Sequence, residues 1–145
     1  MQFRLARPED IAIVAGVLSA AATDLRERNL TLWSTAEVSK EAVEPHVNDG
    51  LYHVGLEGTK VVGVFRLQAR DPSFWPEIPE GTSTCLHKLA VPPEGQGQGL
   101  AHMLLHHAVE ITQSKGLRFL RLDCMGGRPK LRAIYENFGF SITVR

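Results

Sequence analysis

The stretch that most constrains the fold is residues 84–115, where the hydrophobic period changes once and abruptly. Residues 84–91 read as a strand, and Pro92, Pro93, Gly95, Gly97 and Gly99 then break the pattern. From there Leu100, Leu104, Leu105, Ala108 and Ile111 recur at helical spacing, and Gly116 closes the helix. Residues 117–124 read as another strand, with Leu117, Phe119, Leu120 and Leu122 supplying bulk. A strand, a helix and a strand in that order require a crossover, which favours parallel neighbours in one sheet.

The remaining segments fit round this unit. Residues 3–6 form a short strand, and Pro8 suits the first turn of a helix with Glu9 and Asp10 near its positive end. Ile11, Val14, Ala15, Leu18, Ala22 and Leu25 give that helix one apolar face. A weaker helix spans residues 35–47 with Val38, Ala42 and Val43 inward, and Pro45 leaves its end open. Residues 51–56 and 61–69 read as strands joined by a hairpin turn through Gly58. Residues 71–81, with three prolines beside Phe74 and Trp75, are an irregular loop. Pro129 opens a last helix carrying Leu131, Ile134, Tyr135 and Phe138 on one face, Gly139 ends it, and residues 140–144 are a final strand. The order β-α-α-β-β-β-α-β-α-β predicts an α/β fold with a mixed sheet. No repeat or linker divides residues 1–145, which are expected to form a single domain. A chain of this length buries roughly 70% of its unfolded surface.

Sixteen basic and sixteen acidic residues balance, which removes the electrostatic footprint expected of nucleic-acid or anionic-membrane binding. Cys85 and Cys124 sit in apolar runs and are too few for a disulfide framework. With no signal-like apolar segment at the amino terminus, these features predict a cytoplasmic protein.

An anionic ligand therefore needs a local device. Residues 86–91 feed a glycine-rich turn, and the turn opens a long helix whose first N–H groups are unpaired and partially positive. A Walker A loop would require Gly-Lys-Ser/Thr, which is absent. A dinucleotide fingerprint started at Gly95 ends on Leu100, and started at Gly97 it ends on His102, so both frames fail. The pattern Gln/Arg-x-x-Gly-x-Gly/Ala fits Gln96-Gly97-Gln98-Gly99-Leu100-Ala101 at each required position.

That hexapeptide resembles the acetyl-CoA pyrophosphate loop of the GNAT N-acetyltransferases. The Leu89-Ala90-Val91 ending of the preceding strand, Arg121-Leu122-Asp123-Cys124, and the Ala133-x-Tyr135…Gly139-Phe140 helix end are similar to the family as well, as is Pro8-Glu9-Asp10 near the start. The resemblance implies a mostly antiparallel sheet with a splayed parallel strand pair, flanked by helices. It implies that backbone groups of Leu89 and Val91 pair with the pantetheine arm, and that Gln96, Gly97, Gln98, Gly99, Leu100 and Ala101 wrap the pyrophosphate. His102 stands where the family often has a basic residue; it touches a phosphate or faces solvent. His106, four residues on, makes a metal pair by spacing that lacks further ligands, and no metal is expected.

The implied activity is transfer of an acetyl group from acetyl-CoA to a primary amine of a small molecule, amino acid or peptide, by direct attack. A non-catalytic acyl-CoA-binding module is the alternative. Tyr135 stands where the family often places the hydrogen-bond donor to the leaving thiolate; otherwise it packs on the Leu131 face. His87 stands where members similar to serotonin N-acetyltransferase carry a histidine working through water, or it is a hydrogen-bonded histidine of the strand. Strand alternation points His87 away from Leu86 and Lys88. Arg128 replaces the asparagine that usually precedes the last helix. The sequence reaches Arg145 just after the sixth core strand, without the family's seventh. Phe74 and Trp75, with Trp33 opposite and Asp71 and Glu77 nearby, suit a cationic amine; otherwise Phe74 and Trp75 plug the sheet edge left by the missing strand. The edge left by the missing strand favours a homodimer.

Overall fold

A computed structural model describes residues 1–29, 33–69, 81 and 83–122. Five strands form one sheet in the order β1 (Gln2–Leu5), β2 (Tyr52–Glu57), β3 (Lys60–Gln68), β4 (Ser83–Ala90) and β5 (Phe119–Leu122). The first four pair antiparallel, and β4 pairs parallel with β5 from Ser83↔Phe119 to Leu86↔Leu122. The mixed sheet and its one parallel pair are those expected from the strand-helix-strand order. The sixth strand, the last helix and the loop bearing Phe74 and Trp75 were expected at positions outside the described residues, and so was the edge invoked for a dimer.

Two helices cover one face of the sheet. A 3-10 turn, Pro8–Asp10, leads into α1 (Ile11–Glu27), and a second, Ala36–Val38, leads into α2 (Lys40–Asn48). Asp10 does more than face a helix terminus. Its buried carboxylate accepts hydrogen bonds from Arg4 at 2.6 and 3.2 Å and from the Arg7 N–H at 2.8 Å, tying β1 to the start of α1. Arg4 thereby holds it below the usual carboxylate range. Ser39 caps α2 by accepting from the Ala42 N–H, and the helix continues through Pro45 to Asn48. Buried Val43 and Val47 hold this short helix on the core despite the N–H that proline lacks. Val14, Leu18, Val38, Val43, Val54, Val64 and Ala90 belong to this side's core.

The opposite face is covered by α3 (Leu100–Ser114), with Phe65, Leu67, Leu86, Leu104, Leu105 and Ala108 in the core between them. Burying a leucine there contributes about 1.5–3 kcal/mol. Close approach of α3 depends on two glycines paired across β2 and β3, Gly55↔Gly63. A Cβ at Gly63 would lie 2.5 Å from Leu104 Cδ1, so Leu104 occupies the space that a side chain would fill. A buried pair of hydroxyls, Thr84 and Thr112 at 2.6 Å, joins β4 to α3. The Thr112 hydroxyl donates to Ala108 O at 2.8 Å, so Thr84 is the donor between them. His53 stacks on Phe65 at 5.1 Å, and His107 on Phe3 at 4.0 Å, along the same face. Phe119, expected to supply bulk, is 47% exposed, with the Arg118 and Arg121 guanidinium groups 5.7 and 4.9 Å from its ring centre. Among the described residues no helix is long and apolar enough to cross a membrane.

Candidate functional site

The site is organised along β4. At its carboxyl end the strand passes through Pro92 and a 3-10 turn, Pro93–Gly95, into the glycine turn and α3. Gly97 and Gly99 have φ of 82° and 76°, a left-handed conformation that glycine adopts without a Cβ penalty. Among the described residues, chain neighbours aside, nothing lies within 4 Å of the position a Cβ would take at either residue. Gly99 is the N-cap of α3, and no side chain among the described residues caps the helix; the first intrahelical bond runs from the Met103 N–H to Gly99 O at 3.1 Å. Open glycine positions before an uncapped helix terminus are what a phosphate group requires.

Side chains hold this turn from behind. Gln96 donates to Asp24 Oδ2 and accepts from Arg28 Nη2, each at 3.3 Å, which fastens the start of the turn to the end of α1. Gln98 reaches back to Glu94 O at 3.4 Å. Leu100 is buried and Ala101 half-buried, while His102 is exposed on the first turn of α3. Leu89 in β4 and Val91 just after it pack their side chains against the α3-side core. His106 faces Glu110 at 3.5 Å.

Upstream, β4 carries a bulge. Val64 pairs with Ala90 and Arg66 with His87, so two steps along β3 correspond to three along β4. Lys88 lies within it at φ 54°, a conformation rare for a residue with a side chain. The extra residue overturns the alternation expected from the sequence. Leu86 and Leu89 both face the α3-side core, although three residues apart, and Lys88 lies on the face opposite to Leu86. His87 sits in the bulge opposite Arg66, half-buried, with its Nε2 inside the protein.

The bulge brings together charged groups that the linear sequence keeps far apart. Lys88 Nζ lies 3.3 Å from Glu37 Oε2 and 5.6 Å from the centre of the buried Trp33 ring. Burial pulls the Lys88 ammonium below its ordinary range, against the opposing pull of Glu37. Glu37 is itself partly desolvated, yet its bonds from Ser34 and Lys88 prevail and hold it low. Arg66 Nη1 lies 3.3 Å from His46 Nδ1 on α2. Burial, and then the Arg66 charge, lower the His46 pKa, while burial raises that of Tyr52 beside the same guanidinium. Arg66, Lys88, His46, Tyr52 and Glu37 were not anticipated from the sequence. The available signal was Arg66 itself, an arginine in the apolar run Val61-Val62-Gly63-Val64-Phe65-Arg66-Leu67, on the inward face it shares with Val64. Tyr135 lies outside the described residues.

The family model of the acetyltransferase (GNAT) family matches residues 18–140. Among curated relatives, the mycothiol acetyltransferase of Beutenbergia cavernae is 30% identical over 69 residues, which is 48% of this chain and 23% of that protein. The matched segment thus spans about a quarter of that relative's length. The crystal structure of a GNAT-family acetyltransferase from Listeria monocytogenes superposes with a TM-score of 0.83 at 19% identity, covering 99% of this chain and 88% of the other. The PaiA N-acetyltransferase of Thermoplasma acidophilum, solved in complex with coenzyme A, superposes with a TM-score of 0.72 at 16% identity, covering 94% and 87%. These two likenesses establish the fold, and the match over residues 18–140 establishes the family: the chain belongs to the GNAT acetyltransferases.

Proposed function

We propose that residues 1–145 form a single cytoplasmic N-acetyltransferase domain that moves an acetyl group from acetyl-CoA to a primary amine by direct attack. The observation that carries this reading is the open, uncapped turn at Gly97 and Gly99, standing at the end of a bulged β4. Backbone N–H groups of residues 97–101 hold the pyrophosphate, with Gln96 bracing the turn and His102 at its rim. The main chain at Leu89 and Val91 pairs with the pantetheine arm, which brings the thioester alongside the bulge.

In the reaction the amine nitrogen forms a bond to the thioester carbonyl carbon, the carbon–sulfur bond breaks, and the sulfur leaves with the bonding pair. An alkylammonium with a pKa of about 10.4 loses its proton at pH 7 at a cost of about 4.6 kcal/mol, so a base is useful. His87, in the bulge beside Arg66, is assigned that proton through a water. The leaving thiolate needs a donor, and Tyr135 is assigned that hydrogen bond on its place in the Ala133-x-Tyr135…Gly139-Phe140 helix end. Tyr135→Phe is expected to keep CoA affinity and lower kcat by roughly 10–1000-fold.

The deciding experiment joins calorimetric titration of acetyl-CoA to a free-CoA release assay over a panel of amines. Binding with amine-dependent CoA release supports the reading. Binding without release from any amine would leave only an acyl-CoA-binding module, and no binding would remove the site.

A further inference from the structure

Among the described residues, one cation at the bulge has no carboxylate of its own. Lys88 is matched by Glu37 at 3.3 Å. Arg66 is matched by nothing negative among the described residues: its Nη1 approaches His46 Nδ1, its side chain hydrogen-bonds the neutral Tyr52 hydroxyl, and its buried Nε has no hydrogen-bond partner there. Asp49, at the end of α2, acts electrostatically on His46 and is exposed to solvent. The cluster therefore carries two cations, Arg66 and Lys88, against the single carboxylate of Glu37, which is half exposed. A partly buried guanidinium with donors to spare is costly unless an anion or water completes it.

The cluster also has the right place for a ligand. It lies on the α1/α2 face of β4, opposite the face packed by α3, where Ala36–Val38 and Trp33 come down over the bulge. From here β4 leads into the glycine turn, so a thioester arm laid along the strand from that turn ends beside Lys88. This placement rests on the acetyl-transfer reading given above.

We propose that the amine acceptor carries a carboxylate, as an α-amino acid does, and that Arg66, assisted by Lys88, binds that carboxylate while the amine faces the thioester. Arg66 is then a residue that determines specificity, with its planar fork suited to a two-oxygen anion. The Trp33 ring beside Lys88 walls the same space and favours an acceptor with some apolar substance.

The test compares glycine, leucine, phenylalanine, glutamate and lysine, each against its own carboxamide, by acetyl-CoA-dependent release of CoA. Converting the carboxylate to an amide makes the α-amine less basic and more fully deprotonated at pH 7. Any preference for the acid therefore runs against intrinsic reactivity. The wild-type protein is expected to favour at least one acid over its amide by roughly 10–100-fold in kcat/KM. Arg66→Gln should collapse that ratio to about threefold or less, chiefly through KM, and Lys88→Met should reduce it part way. Because the ratio is taken within one preparation, loss of folded protein does not mimic the effect.

Amides or plain alkylamines consumed as well as every acid would overturn the carboxylate assignment while leaving acetyl transfer standing. A ratio that survives in both variants would overturn the role of Arg66 and Lys88. If no acceptor turns over, the N-acetyl derivatives of the same five acids and amides are titrated into CoA-saturated protein. Tighter binding of the acids, lost in Arg66→Gln, supports the proposal; equal or absent binding overturns it. Failure of acetyl-CoA itself to bind is a separate result, and it removes the underlying reading.

Discussion

The two ends of the β4 site are built from different materials. At the carboxyl end, the turn at residues 96–101 offers backbone: two glycines at positive φ, an uncapped helix terminus, and open space where side chains would stand. At the bulge, Lys88, Arg66, His46 and Glu37 offer side chains, contributed by β4, β3, α2 and the 3-10 turn before it. A site made of backbone needs a contiguous run of residues able to adopt its conformation. One made of side chains needs the fold to assemble it. The first should be broken by changing the conformation of a single residue and should tolerate changes in the side chains around it. The second should lose selectivity whenever one charge is removed.

The largest effect is expected at Gly99. An aspartate there would have to adopt φ 76° and would place a carboxylate at the mouth of the turn, opposed to the phosphate by sign as well as by space. Gly99→Asp is expected to weaken CoA binding on the order of 100–1000-fold, or about 3–4 kcal/mol, by calorimetry on protein whose thermal unfolding is also followed. Unchanged affinity would place the pyrophosphate elsewhere.

This contrast also explains how far the sequence could be read. The shape of the turn and the start of α3 were legible because they lie in consecutive residues, and the parallel pairing of β4 with β5 followed from the strand-helix-strand order. The charged cluster was not legible, for two physical reasons. Its members are brought together by strand pairing and by α2, which no local pattern reports. The bulge at Lys88 also inserts a residue into β4, so alternation counted from Leu86 puts Lys88 on the wrong face. Pro45 is a smaller case of the same kind. Proline leaves the end of the helix read over residues 35–47 open, and burial of Val43 and Val47 carries α2 through to Asn48.

Burial lowers a histidine pKa on both faces of the sheet, His46 on the cluster face and His53 on the α3 face, and the shift at His53 is the larger. Burial, with the neighbouring His107 and Lys115 charges, lowers the His53 pKa from 6.5 to about 4. The folded state thus binds the proton more weakly than the unfolded chain. Stability from this residue is fully present above about pH 6.5 and is lost as pH falls from there through about 4. The loss amounts to about 3 kcal/mol at most. Urea unfolding of wild type and His53→Phe at pH 7 and pH 4.5 isolates this share from the titrating carboxylates. The variant should lose less stability on acidification than wild type, and equal losses would refute the assignment.

A smaller effect is expected where α3 settles on the sheet. Gly63→Ala puts a Cβ against Leu104, whose Cδ1 must move because it would lie at 2.5 Å. Overpacking of this kind costs about 1–3 kcal/mol. Leu104→Val in the same chain should recover part of it, so the double variant should be more stable than the sum of the single effects. Strict additivity would mean that α3 is not positioned by this contact. Because α3 carries the glycine turn at its start, CoA affinity should fall together with stability in Gly63→Ala and recover with it.

The smallest effect, and the sharpest contrast with Arg66, is expected at Gln96. Its side chain bonds to half-buried Asp24 in the last turn of α1 and to exposed Arg28 just past it, each at 3.3 Å, and such bonds contribute about 0.5–1.5 kcal/mol each at best. Asp24 and Arg28 also pair with each other at 3.4 Å, so part of the anchoring network survives without Gln96. The backbone of Gln96 is extended, a conformation open to alanine without strain. On the proposed reading, in which main-chain groups meet the phosphate, Gln96→Ala should therefore weaken CoA binding by only about two- to fivefold. A loss as large as that of Gly99→Asp would show that the turn depends on its side chains after all. The distinction between the two ends of β4 would then fail at the end where it was drawn most firmly.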